Sequence, residues 1–140
     1  MRYRRSSICN CRLMARLLRE GGELMMRHCL TLDLQDDPAA IAAYDRYHQR
    51  VWPEVLVHLR ASGIQDMTIW RRGSRLMMLL ETEDDFDFAR LATTGDTPAR
   101  VVEWNQLMAR FQKALADADT AGLWQPMVEV FSLRAQVDCN

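Results

Sequence analysis

The chain is short of the features that announce a charged or membrane-bound partner. Its 18 basic and 19 acidic side chains nearly cancel, for a net charge of −1 at pH 7. No basic field is available to hold nucleic acid, and no acidic tail to hold cations. No apolar run approaches the roughly 20 residues that cross a bilayer. Cysteine is sparse, at positions 9, 11, 29 and 139. Cys9-Asn10-Cys11 lacks the two-residue gap of common zinc or redox pairs, and no second pair follows. The expectation is therefore no metal and reduced thiols in a cytoplasmic protein. There is also no glycine-rich phosphate loop and no serine in a nucleophile elbow. What fits this balance best is a small neutral ligand.

What is present is an ordinary globular composition, 49% hydrophobic and 26% charged over 140 residues, enough for one domain with a real core. The first 20 residues differ, with six arginines and a single acid, Glu20. Leu13, Leu17 and Leu18 can line a short amphipathic helix. No continuous apolar core of about 7–15 residues marks a signal peptide. Glu20-Gly21-Gly22-Glu23 can be encoded by a purine-rich run resembling a bacterial ribosome-binding site, and Met25 and Met26 follow. Residues 1–25 are thus expected to be an extension, disordered or the product of a mis-assigned start. A domain over 26–133 and a polar tail over 134–140 complete the division.

From Arg27 the chain alternates, with His28, Leu30, Leu32 and Leu34 on one face and Cys29, Thr31 and Asp33 on the other, as in a half-buried strand. Asp36-Asp37-Pro38 starts a helix carrying Ile41, Tyr44, His48, Val51 and Trp52 at helical spacing. Pro53 ends it and starts a second helical segment that stops at Gly63. Asp66–Arg71 and Leu76–Glu81 read as strands joined by the turn Arg72-Gly73-Ser74. Asp84-Asp85 caps a short helix with Phe86, Phe88 and Leu91. A longer helix runs from Pro98 to about Asp117, and Met127–Leu133 closes as a last strand. The order β-α-β-β-α-β predicts an α+β, ferredoxin-like fold with helices on one face of an antiparallel sheet. The other face also carries apolar residues, and a second subunit is the simplest cover, giving a homodimeric α/β barrel.

The stretch AYDRYHQRVWPEV, residues 43–55, carries the chemistry. Tyr44 and His48 lie one helical turn apart on a stripe that points at the sheet. A core histidine bonded to a backbone carbonyl explains this, and so does a working acid or base. If a site exists, its means are a histidine, a tyrosine, carboxylates and tryptophans, which suits proton transfer beside flat apolar walls. Trp70 and Trp104 are candidate walls, and ordinary half-buried aromatics are the competing reading. Trp52 fits the helix break. Asp66, Glu81 and Glu129 are available acids, although most such carboxylates are solvated or paired.

MRHCLTLDLQDDP, AYDRYHQRVWPEV, ASGIQDMTIWRRGSRLMMLLET, VVEWNQLM and PMVEVFSL together resemble the L-rhamnose mutarotase family, in its L-fucose mutarotase-like branch. The likeness spans Met26 to about Leu133, and its most specific element is Tyr44, His48, Trp52, Pro53 and Glu54. It implies a dimeric ferredoxin-like fold, no cofactor, and interconversion of the α and β anomers of a 6-deoxy-L-hexose. It also implies His48 as proton donor and Tyr44 as a sugar contact. Met67 stands where rhamnose-type members have a further substrate tyrosine, and Val101-Val102 where they have a tryptophan pair. These departures favour a sugar other than rhamnose, with L-fucose first. A non-catalytic binding module and a monooxygenase-like enzyme on the same scaffold are the competing functions, because this fold hosts many activities.

Overall fold

The computed structural model describes residues 16–18, 24–118 and 123–136. Cys9, Cys11, Leu13 and Cys139 lie outside them. Strand β1 (Arg16–Leu18) pairs antiparallel with the start of the long strand β2 (Leu24–Leu34). The described part of the extension is thus a strand, where Leu17 and Leu18 had allowed a helix.

Helix α1 (Pro38–Gln49) starts where Asp37 caps it, its carboxylate accepting from the Ala39 amide at 3.1 Å. Pro38 occupies the first turn, where no N–H is needed. Pro53 opens α2 (Pro53–Ala61) after the break at Trp52. The chain then turns at Gly63, whose φ of +96° is open to glycine. Strands β3 (Ile64–Arg72) and β4 (Arg75–Glu83) form a hairpin, with Gly73 at φ +57° in its turn. A short 3-10 helix (Phe88–Leu91) follows. Its cap is Asp87, bonded to the Ala89 amide at 3.0 Å, rather than Asp84 or Asp85.

Helix α3 (Ala99–Ala109) is shorter than its sequence pattern. Phe111 and Leu115 continue the helical spacing, yet the Phe111 carbonyl accepts from the Gln35 amide at 2.7 Å. The chain then pairs as β5 (Gln112–Lys113) with the end of β2. A ladder to the sheet wins over two more turns of helix. Strand β6 (Gln125–Pro126) pairs with Leu30 and Thr31, and a short α4 (Leu133–Gln136) ends the described chain.

Setting aside β1 and β5, the sheet order is β6-β2-β4-β3, all antiparallel, which is the ferredoxin-like arrangement. The helices cover one face. Leu34 and Leu76 meet Tyr44, Val55, Val101, Trp104 and Met108 there, and a second cluster joins Leu30, Ile64, Met78 and Leu80. Among the described residues no helix is long and apolar enough to cross a membrane.

The last strand departs most from expectation. The paired residues are Gln125 and Pro126, just before the expected strand Met127–Leu133, of which only the Met127 amide makes a backbone bond to the sheet, on the Cys29 carbonyl at 2.8 Å. Val128, Val130, Phe131 and Leu133 are exposed, Val130 at 94%. The register gives a reason. Pro126 faces Leu30, so a continuing strand would set Val130 opposite Met26. Strand β1 already holds that edge, with Arg16 opposite Met26 and Leu17 opposite Met25. Strand β4 fills the other edge. One backbone edge cannot serve two strands.

Candidate active site

A cavity of about 190 Å³ lies between α1 and the β3–β4 hairpin, lined by Tyr44, Asp45, His48, Gln49, Ile69, Arg71 and Leu76. The helix supplies Tyr44 and His48 at a spacing of four, so they lie one above the other. Their rings are 4.2 Å apart. The strand supplies Ile69 and Arg71, two apart and therefore on one face.

His48 is held by its Nδ1, which lies 2.9 Å from the Tyr44 carbonyl. A carbonyl only accepts, so Nδ1 carries the proton and Nε2 of the neutral ring carries a lone pair. Trp104 packs edge-on against the His48 ring at 5.5 Å. Burial lowers the pKa of His48, opposed by the carbonyl bond and by Asp45. The ring is therefore neutral at pH 7. Tyr44 is pushed up to about 12, chiefly by burial, against a hydrogen bond with the Gln112 side chain. Its phenol stays protonated and can donate or accept.

Asp45 and Arg71 join across the cavity in a two-pronged ion pair, Nε to Oδ1 at 2.9 Å and Nη2 to Oδ2 at 2.6 Å. Arg71 Nη1 also donates to the Gly73 carbonyl at 2.9 Å. Alternation along the strand put Arg71 on the face of Ile69, but nothing local pairs it with Asp45. Gln112, the hydroxyl partner of Tyr44, lay in a stretch whose spacing read as helix.

The expected residues separate into two groups. Tyr44 and His48 line the cavity together. Trp104, 6% exposed, stands behind His48 and packs edge-on against Trp52 at 5.2 Å, so it supports the site rather than walling it. Trp70 is not brought to His48 at all. It lies on the opposite face of β3 from Ile69 and Arg71, 50% exposed, paired across the sheet with Met77. The strand period of two sends it there. Trp52 sits at the helix break as expected, with the Arg100 guanidinium 3.8 Å over its ring. Of the available acids, Glu81 pairs loosely with Arg27 at 3.8 Å and Asp66 accepts from the Met67 amide. Neither they nor Glu129 line the cavity. His28 is elsewhere, its Nε2 3.2 Å from the Thr82 hydroxyl and its ring against Phe86 and Phe88. Among the described residues no three potential metal ligands converge.

The sequence model for L-rhamnose mutarotase matches residues 27–133, most of the chain. The chain belongs to the L-rhamnose mutarotase family. It is therefore placed with isomerases that act on sugars. Among relatives, the L-fucose mutarotase of Xanthomonas campestris pv. campestris is 41% identical over 115 residues, covering 81% of this chain and 92% of that protein. The L-rhamnose mutarotase of Acidiphilium cryptum is 30% identical over 105 residues, covering 71% and 92%. The crystal structure of an L-rhamnose mutarotase from Formosa agariphila superposes with a TM-score of 0.55 at 21% identity, over 76% of this chain and 97% of that one. That likeness concerns the fold. In this mutarotase family member, the cavity between α1 and the hairpin is lined by His48, anchored through Nδ1, and by Tyr44.

Proposed function

We propose that this mutarotase interconverts the α and β anomers of a 6-deoxy-L-hexose, L-fucose in the first place, with His48 as the proton-transferring group. The observation that carries the reading is the neutral His48 ring, anchored through Nδ1 at the cavity and leaving Nε2 to a ligand. Nε2 takes the proton of the anomeric hydroxyl. The electrons of that O–H bond form the carbonyl, and the bond from the anomeric carbon to the ring oxygen breaks. The ring oxygen then needs a proton, which the imidazolium returns. Both oxygens are borne by the same carbon, so one nitrogen can serve both in turn. The aldehyde rotates and the ring closes on its other face.

Tyr44, whose hydroxyl stays protonated, is the proposed sugar contact. Trp104 sets the His48 ring from behind. The greater identity to an L-fucose mutarotase supports L-fucose over L-rhamnose. The charged and polar groups Asp45, Gln49 and Arg71 in the lining favour a polyol over an apolar substrate.

The homodimer belongs to the same proposal. Trp70, Met77 and Met127 leave apolar surface on the uncovered face, and Val128–Leu133 adds more. A second copy is the economical cover for both. The free, half-buried thiol of Cys29 suits a reducing, cytoplasmic setting.

Saturation-transfer NMR of anomeric exchange in L-fucose and L-rhamnose tests the function. His48→Ala is expected to lower the rate about 10²–10⁴-fold, the range for a lost general acid or base. A wild type that accelerates neither sugar ends the proposal. A His48→Ala chain at full rate removes His48 from it.

A further inference from the structure

The ion pair in the cavity is expensive to explain as scaffolding. Asp45 and Arg71 keep 43% and 32% of their side-chain surface exposed, and exposed pairs stabilise a fold little. Yet the pair is held in one geometry. Arg71 is fixed by both Asp45 oxygens and by the Gly73 carbonyl in the hairpin turn. Both residues line the same cavity as Tyr44 and His48.

The donor count shows what remains. A guanidinium has five N–H groups, and three are engaged here. A carboxylate offers about four acceptor positions, of which Arg71 takes two. The pair thus presents spare donors beside spare acceptors, already oriented. A sugar hydroxyl both donates and accepts, and two neighbouring hydroxyls match a fork better than one does. Resting on the mutarotase reading above, we infer that Asp45 and Arg71 form the hydroxyl-reading element of this site, gripping sugar hydroxyls remote from the anomeric carbon and so deciding which 6-deoxy sugar is accepted. Polar sites of this kind discriminate strongly, because a missing hydroxyl leaves charged groups without partners.

The test combines variants with trimmed substrates. Asp45→Asn and Arg71→Gln each remove one half of the pair, and Arg71→Lys keeps the charge while losing the fork. Anomeric exchange is measured by NMR over a range of L-fucose concentrations and with its 2-, 3- and 4-deoxy analogues. On L-fucose, each variant is expected to lower kcat/KM about ten- to a hundredfold, mostly through KM, as for lost charged hydrogen bonds. On one deoxy analogue the wild type loses about as much, and the variants lose nothing further. A penalty of equal size on every analogue means the pair is structural and overturns the inference. Full activity of the variants on L-fucose overturns it as well. A wild type inactive on all sugars fails the mutarotase reading itself, a result separable from either.

Discussion

Burial drives the pKa of His48 down, and the Tyr44 carbonyl and Asp45 pull it partly back. The reactive form in the proposed first step is the neutral one, so the exchange rate should fall as pH drops through a value below the ordinary 6.5. Removing the Asp45 charge should move that inflection lower still, because Asp45 favours the imidazolium. A pH–rate profile of wild type and Asp45→Asn measures this. An inflection above the ordinary histidine value, or one indifferent to Asp45, would count against the role given to His48. Stability follows the same linkage. His28 and His48 are both lowered by burial, so between pH 6.5 and their folded values the unfolded chain binds more protons. Stability is therefore full above that window and declines as pH falls through it. At this scale, Tyr44 and His48 were legible in the sequence as a stripe. The core-histidine reading describes Nδ1, bonded to the Tyr44 carbonyl, and the proposed catalytic role rests on Nε2 of the same ring.

Competition for the edge of β2 belongs to the element scale. Strand β1 occupies Leu24–Met26, and a continuing last strand would bring Val130 and Phe131 to Met26 and Met25. In a chain lacking residues 1–23, the register sets Glu129 opposite Arg27 and Phe131 opposite Met25. Their amides should then gain protection in hydrogen exchange, having been open in the full-length chain. Unchanged exchange at both positions would show that β1 is not what stops the strand. The alternation Met127–Leu133 read as a strand, but apolar periodicity cannot show whether an edge is left to pair with, and the structure forms no strand there. The early end of α3 was not legible either. Phe111 and Leu115 keep helical spacing, and only the pairing of Gln112 with Leu34 overrides it.

For the whole molecule, the helices bury one face of the sheet and leave Trp70 and Met77 on the other. The proposed homodimer places these residues in its interface. Sedimentation equilibrium should give a dimer for the wild type, and Trp70→Glu should shift it toward monomer by setting a charge in an apolar contact. A wild type that sediments as a monomer at all concentrations would set the dimer aside. The family was accessible from the sequence, and the stretches that carried the resemblance lie almost wholly within the matched region 27–133.

The sequence by itself determined the three central strands β2, β3 and β4, the proline-broken helix pair and the stripe that carries Tyr44 and His48. These rest on periodicity and on backbone rules that act within a few residues. Only the tertiary structure decided what meets that stripe. Asp45 and Arg71 are 26 residues apart, and Tyr44 finds Gln112 from a different element. Trp70, one residue from Arg71, is turned away by the pleat. Contacts of that range depend on how the sheet and helices close on one another, and no local spacing encodes them.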